Sequence, residues 1–190
     1  MNIEIGTKFT TCFLSFQTVG FHATSLNSTT EIEKNGIYPS KVFRFSEHEE
    51  IISIANEIQI DVSHYKQWLE MRSVTFTREF EAAIAHIKQG SASGGQGLGN
   101  MVHVLNEIKE KGNESQKIAS EKYLSMVQGK RNSAPIIYAV DLSHLGSRLV
   151  IDQRAPLYQL YWRPNCELPP SEKLITPAHL ISKLEVTACA

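Results

Sequence analysis

Cysteine is scarce in this chain. Its 190 residues include three, Cys12, Cys166 and Cys189, an odd number at wide spacing with no C-x-x-C pair. That pattern excludes a disulfide framework and a zinc site legible from spacing. It fits a reducing compartment in which each thiol serves as a small buried hydrophobe. An excess of one charge is missing as well, since 19 Lys and Arg against 20 Asp and Glu leave a net charge of −1. A broad basic face that neutralises phosphates needs clustered cations, so nucleic acid is possible but not favoured as a partner, and a local basic groove stays open. No apolar run approaches the roughly 20 residues that cross a bilayer. The early stretch "FTTCFLSF" is broken by Thr and Ser and preceded by one lysine, Lys8, which is not the make-up of a signal peptide. The expectation is no membrane contact, and a protein that is cytoplasmic or secreted without an N-terminal signal peptide.

Several chemical signatures are absent too. The histidines form no H-x-x-x-H pair, so nothing in the spacing asks for a metal, although a site assembled from distant residues stays open. Serine hydrolysis by a nucleophile elbow would need G-x-S-x-G, which does not occur. "GGQGLGN" has the wrong spacing for a dinucleotide fingerprint, follows a helical pattern rather than a strand, and closes on no Lys-Ser or Lys-Thr. It reads as a flexible loop within 90–100, with closure over a ligand as the other reading.

What is present suits one domain over 1–190. Residues 8–22 read as extended and lead into His22. Ser28 with Glu31 looks like a capping box for a short helix that stops at Asn35-Gly36. Ser46 with Glu49 looks like a second, opening a helix with Ile51, Ile54, Ala55 and Ile58 on one face. Helical patterning continues to about Arg72, then "SVTFTREFEAAIAHI" passes from strand to helix. Residues 101–130 are helical, divided near Gly112-Asn113, and "APIIYAVDL" reads as a central strand. "SRLVIDQ" and "LYQLYW" are further strands. "SEKLITPAHLISKLEV" reads as a strand, a break at Pro177-Ala178 and a last strand. Strands at both ends with helices between predict an α+β domain with a mainly antiparallel or mixed sheet.

Three separated pieces put polar side chains beside apolar strand residues: "FHATS", "VTFTREFEAA" and "SEKLI". Taken singly, each has an ordinary explanation. His22 reads as a satisfied core histidine, Thr75 and Thr77 as the polar half of a half-buried strand, and Glu172 as an exposed acid at a strand start. In this order, however, they resemble the ADP-ribosyltransferase superfamily. "FHATSLNSTTEIEKNGI" is similar to its H-G-T strand and short helix ending in Gly-Ile, with Ala23 where glycine is usual. "VTFTREFEAAIAH" resembles its strand carrying Tyr, Ser or Thr that runs into a helix with spaced alanines. "SEKLITPAHLISKLEV" resembles its late glutamate followed by a final strand. The likeness covers about 15–38, 73–86 and 135–186, which leaves 39–72 and 88–134 as helical insertions.

The resemblance implies a split mixed or antiparallel sheet and NAD as co-substrate. It implies Glu172 as the catalytic residue, with His22, Ala23, Thr24, Thr75 and Thr77 around the dinucleotide. His22 would hydrogen-bond a ribose hydroxyl. Backbone groups around Ala23 would hold the nicotinamide amide, and Thr24 and Thr75 would add hydroxyls. Glu167 is the alternative acid. The arginine-modifying members of the family bear an acid two residues before the catalytic glutamate; here that position is Pro170, so the expected acceptor is not arginine. The implied activity is mono-ADP-ribosylation by a toxin, effector or regulator acting on a target protein. A catalytically inactive binding module, ADP-ribosylation of nucleic acid or a small molecule, and an unrelated α+β domain are the alternatives.

Overall fold

The structure is a computed structural model and describes residues 18–39, 43–88, 95–131, 133–162 and 172–186. All three cysteines, Glu167, Pro170, residues 8–17 of the expected first strand and residues 90–94 of the Gly-rich run lie outside these. The chain divides into two compact units. One comprises Met1–Ser40, Arg72–Ser93 and Ser133–Ala190, and the other comprises Lys41–Met71 and Gly94–Asn132.

The first unit is built on a six-stranded sheet of order β4-β5-β2-β1-β3-β6, in which every pairing is antiparallel. The strands are β1 (Val19–Ser25), β2 (Ser73–Thr77), β3 (Pro135–Asp141), β4 (Leu149–Asp152), β5 (Leu157–Tyr161) and β6 (Leu180–Glu185). The α+β expectation therefore holds. β3 has a partner on each side, and its residues Ile136 to Val140 are all buried, as an apolar run covered on both faces requires. One face of the sheet carries Val74, Phe76, Ile136, Tyr138, Val140 and Leu160, which share a core with Ile32, Ile37, Leu174 and Ile175. The other carries Phe21, Ile137 and Ala139, packed on Phe80, Ala83 and Ile87 of a helix that spans Phe80–Lys88. Each Val, Leu, Ile or Phe among these contributes about 1.5–3 kcal/mol when fully buried, and each Ala methyl less.

The short helix α1 (Thr29–Asn35) follows β1 as the sequence predicts, but not with the expected cap. Ser28 Oγ pairs with Ser25 Oγ, and the Glu31 carboxylate accepts from Asn35 Nδ2 and Tyr38 Oη. Glu31 is drawn toward its own helix end and Tyr38 rather than back over Ser28. The stop at Gly36 is obligatory. Its φ is +84°, and a Cβ there would lie 1.8 Å from the Ile175 carbonyl oxygen. That close approach lets Ile37 pair with Ile175. Residues 172–176 make this single bridge rather than the strand read from "SEKLIT", and a 3₁₀ turn, Pro177–His179, leads into β6.

Among its described residues the second unit is helical: α2 (Phe45–Glu57), α3 (Ser63–Glu70), α5 (Gly95–Lys111) and α6 (Glu114–Arg131), with α4 naming Phe80–Lys88 of the first unit. Ile51, Ala55, Tyr65, Met101, Leu105 and Tyr123 form its buried core. Two readings need correction. Helix α2 starts at Phe45, and Glu47 rather than Glu49 folds back, its carboxylate accepting from Arg44 N–H at 2.8 Å. Helix α5 begins inside the Gly-rich run, where helical hydrogen bonding extends back to Gly95. The division at Gly112-Asn113 is where it was read, with Asn113 Oδ1 accepting from Gln116 N–H. No helix among the described residues is long and apolar enough to cross a membrane.

Candidate functional site

Strand β1 is treated differently on its two sides. Against β3 it is in register throughout, from Val19↔Asp141 to Ser25↔Pro135. Against β2 the register is a single pair, Phe21↔Thr77. Beyond that pair the sheet opens into a seam, and the residues carrying the resemblance gather along it.

Alternation decides which groups face the seam. The bonds Leu26 N–H to Ala134 O and Leu142 N–H to Thr18 O show that even-numbered residues of β1 turn their backbone groups toward β3. The N–H and C=O of Phe21, Ala23 and Ser25 therefore point the other way, toward β2. At Phe21 that carbonyl accepts from Thr77 Oγ1 at 3.2 Å. At Ala23, past the last β1–β2 pair, the donor and acceptor face the open seam. The Ala23 side chain packs against the cluster of Phe21, Ile137 and Ala139.

His22 lies on the opposite face, in register with Tyr138, which is in turn in register with Lys183. Its ring sits 5.6 Å from that of Phe76, and Nδ1 lies 3.3 Å from the Thr75 carbonyl oxygen. A carbonyl can only accept, so Nδ1 carries the proton and Nε2 carries the lone pair. Burial pushes the His22 pKa down to about 4, with the Thr75 carbonyl opposing and His86 assisting. The imidazole is therefore neutral at pH 7, a hydrogen-bond acceptor at Nε2. Thr24 follows on the same face, opposite Ile136. Thr75 meets His22 through its carbonyl, because its exposed side chain shares the face of Thr77 and not that of Phe76.

Glu172 is held on the His22 side of the sheet, since Leu174 and Ile175 belong to the core with Phe76 and Tyr138. Its carboxylate oxygens accept from Arg148 Nη1 at 2.5 Å and Nη2 at 3.3 Å. Its backbone carbonyl accepts from Trp162 Nε1 at 3.0 Å. A 3₁₀ segment, Ser143–Arg148, grips the same stretch again, with His144 Nε2 donating to the Leu174 carbonyl at 2.8 Å. The rings of His144 and His179 stack at 3.8 Å and 9°. His179 Nδ1 accepts the Thr176 N–H at 3.0 Å. Burial, then the neighbouring His144, holds the His179 pKa below its ordinary value, against Asp141.

Near this row, Glu33 of α1 accepts from Lys183 Nζ at 2.7 Å and lines a shallow cleft of about 270 Å³ with Tyr138, Leu180 and Ser182. Its one cation and one anion pair with each other. Among the described residues no group of three or more His, Cys, Asp or Glu is placed to hold a metal ion.

The structure thus brings His22, Ala23, Thr75 and Thr77 to the β1–β2 flank and sets Glu172, clamped by Arg148, on the same face as His22 and Thr24, but the Thr75 and Thr77 side chains lie on the opposite face, so the hydroxyl expected from Thr75 beside His22 is replaced by its carbonyl. Sequence reasoning missed Arg148 and the His144–His179 stack. Arg148 lies 24 residues from Glu172, and no motif links the two. No family model, curated protein or solved structure matches this chain.

Proposed function

We propose that this chain is an NAD-dependent mono-ADP-ribosyltransferase of the ADP-ribosyltransferase-like fold, which cleaves the nicotinamide–ribose bond and passes ADP-ribose to a macromolecular acceptor, a protein in the first instance. The observation that carries the reading is the opened β1–β2 seam with the Ala23 backbone turned into it beside a neutral His22. A primary amide needs one donor and one acceptor, and Ala23 offers that pair in the plane of the sheet. A ribose hydroxyl needs an acceptor, and His22 Nε2 supplies it.

In the reaction the C1′–N bond breaks with its electron pair going to nicotinamide, and the ribose carbon becomes cationic. A carboxylate beside it stabilises the transition state more than the ground state, which is the role of Glu172. The acceptor's lone pair then forms the new bond to C1′, and its proton leaves to solvent. The test is nicotinamide release from NAD by the wild type and by Glu172→Ala. The variant is expected to lose on the order of 10²–10³ in kcat, as for removal of other transition-state electrostatic groups. Equal rates would remove Glu172 from the mechanism.

A second reading is favoured by one contact. Because Arg148 engages both oxygens of Glu172, the site in this state resembles that of a non-catalytic ligand-binding module. Calorimetry showing NAD binding without nicotinamide release would select it.

A further inference from the structure

We propose that β6 pairs with the β6 of a second copy of this chain, antiparallel and centred on Leu184, so that two six-stranded sheets join into one. The inference goes beyond the proposed activity and does not depend on it. The sheet has two edges, β4 and β6. An edge strand holds a row of backbone donors and acceptors that a further strand can use. On β6 the register says which residues carry them. Val186 N–H donates to the Pro135 carbonyl, and hydrogen-bonded pairs alternate along an antiparallel ladder. Ser182, Leu184 and Val186 therefore turn their backbone groups to β3. Lys183 and Glu185 turn theirs outward, where among the described residues no strand lies.

Charge complementarity names the occupant. Lys183 stands opposite Tyr138 and Glu185 opposite Ile136, so both exposed side chains rise from the His22 face of the sheet. Charges on an edge normally repel a strand that tries to join it. Here two opposite charges flank one apolar residue, and that triplet is its own complement. A two-fold axis through an antiparallel pair sets one residue opposite its own copy, which leaves few registers. Centring on Lys183 opposes two ammoniums, and centring on Glu185 opposes two carboxylates. Centring on Leu184 sets Lys183 opposite Glu185 of the second copy, twice, with Ser182 opposite Val186 at each end. In that register the charged residues are also the ones whose backbone groups point outward. Leu184 meets its copy in the closer, non-hydrogen-bonded position. Its half-buried side chain packs with Ile137 and Val186 on the other face and has surface left to cover. The shift between Ala139↔Ser182 and Val140↔Leu180 leaves Ile181 as a bulge, which ends the regular stretch at Ser182. Lys183 Nζ donates to Glu33 Oε1 at 2.7 Å, but an ammonium has three N–H donors and this bond uses one. Lys183 also lines the cleft with Glu33 and Tyr138, so the second copy brings Glu185 to its rim. The β4 edge offers less. It is four residues long, and Asp152 has no cation within the strand to oppose.

A single edge strand is smaller than a standard interface, so the dimer forms at high protein concentration. The experiment is sedimentation equilibrium on the full chain from the micromolar to the millimolar range, with circular dichroism confirming that each variant is folded. Wild type is expected to show a monomer–dimer equilibrium. Lys183→Glu and Glu185→Lys should each weaken it about tenfold or more, because two attractive pairs become repulsive. Mixed in equal amounts, the two variants set two carboxylates opposite two ammoniums. The heterodimer should then form with an affinity within about threefold of wild type. Lys183→Glu also loses its bond to Glu33, but equally alone and in the mixture, so the difference reads only the contact between copies. Amide exchange supplies the register. The N–H groups of Lys183 and Glu185 gain protection as concentration rises, while those of Ser182 and Leu184, already bonded to β3, change least. Wild type that stays monomeric throughout, a dimer that both variants leave intact, or a mixture no tighter than its components each overturns the proposal. Protection gained on β4 instead overturns it as well.

Discussion

The two flanks of β1 are made from the same seven residues and behave in opposite ways. On the β3 side each residue from Val19 to Ser25 has a partner in register, and the neighbouring strand is buried from Ile136 to Val140. On the β2 side the register is one pair, and side chains take over the joining, with Thr77 Oγ1 on the Phe21 carbonyl and His22 Nδ1 on the Thr75 carbonyl. A closed ladder satisfies its backbone internally and can recognise nothing more. An opened one keeps donors and acceptors for a ligand, and its stability comes from elsewhere. The β3 flank is therefore the scaffold of the proposed site and the β2 flank is its working edge.

Substitutions that respect this division should have separable effects. The largest is expected on the closed flank. Ile137→Ala removes a fully buried side chain and should cost about 2–5 kcal/mol, read from urea unfolding. A smaller loss would mean that the closed flank does not carry the unit's stability. Next comes acid sensitivity at the seam. His22 has a folded pKa of about 4, below its unfolded value, so the unfolded chain binds the extra proton first. Its contribution is complete above roughly pH 6.5 and is lost as pH falls toward 4, by up to about 3 kcal/mol, less for the residue's partial exposure. Comparing urea midpoints at pH 7 and pH 4.5 for wild type and His22→Asn isolates this, because His179, also lowered, contributes equally to both. A variant with the same acid loss as wild type would assign the effect to other groups. The smallest effect is Thr77→Val, which keeps the β-branched shape and removes one hydrogen bond to Phe21. About 0.5–1.5 kcal/mol is expected. Faster amide exchange should be confined to the β1–β2 flank, and a spread into β3 would break the comparison.

Much of the scaffold was legible because its signals are local. The apolar run "IIYAV" is a central strand, Gly36 ends α1, and Gly112-Asn113 divides two helices, each through the backbone preference of the residues named. The caps failed for a different reason. Ser28 and Glu31 have the spacing of a capping box, but Asn35 and Tyr38 compete for the same carboxylate, and spacing cannot weigh competitors. The stretch 172–176 reads as a strand on composition, yet the chain lies against Gly36 and makes one bridge there, which is a tertiary outcome. Of the candidate site, His22, Thr75 and Thr77 were legible as a set. That Thr75 would present a carbonyl to His22 depends on register, and the hold of Arg148 on Glu172 depends on a turn formed 24 residues earlier. Neither is written in the spacing of the residues concerned.

The position of the Ala23 methyl follows from the directions in which an extended chain presents its groups. An extended chain offers three of them within two residues. The His22 ring rises from one face, the Ala23 amide and carbonyl lie in the sheet plane, and the Ala23 methyl descends into the cluster with Phe21 and Ile137. On the proposed reading, alanine in place of the glycine of the resembled family is thus an underside substitution. The methyl occupies the packed layer beneath the seam and would take no room from a ligand lying within the proposed site, so the edge and the floor of the sheet can vary independently at one residue.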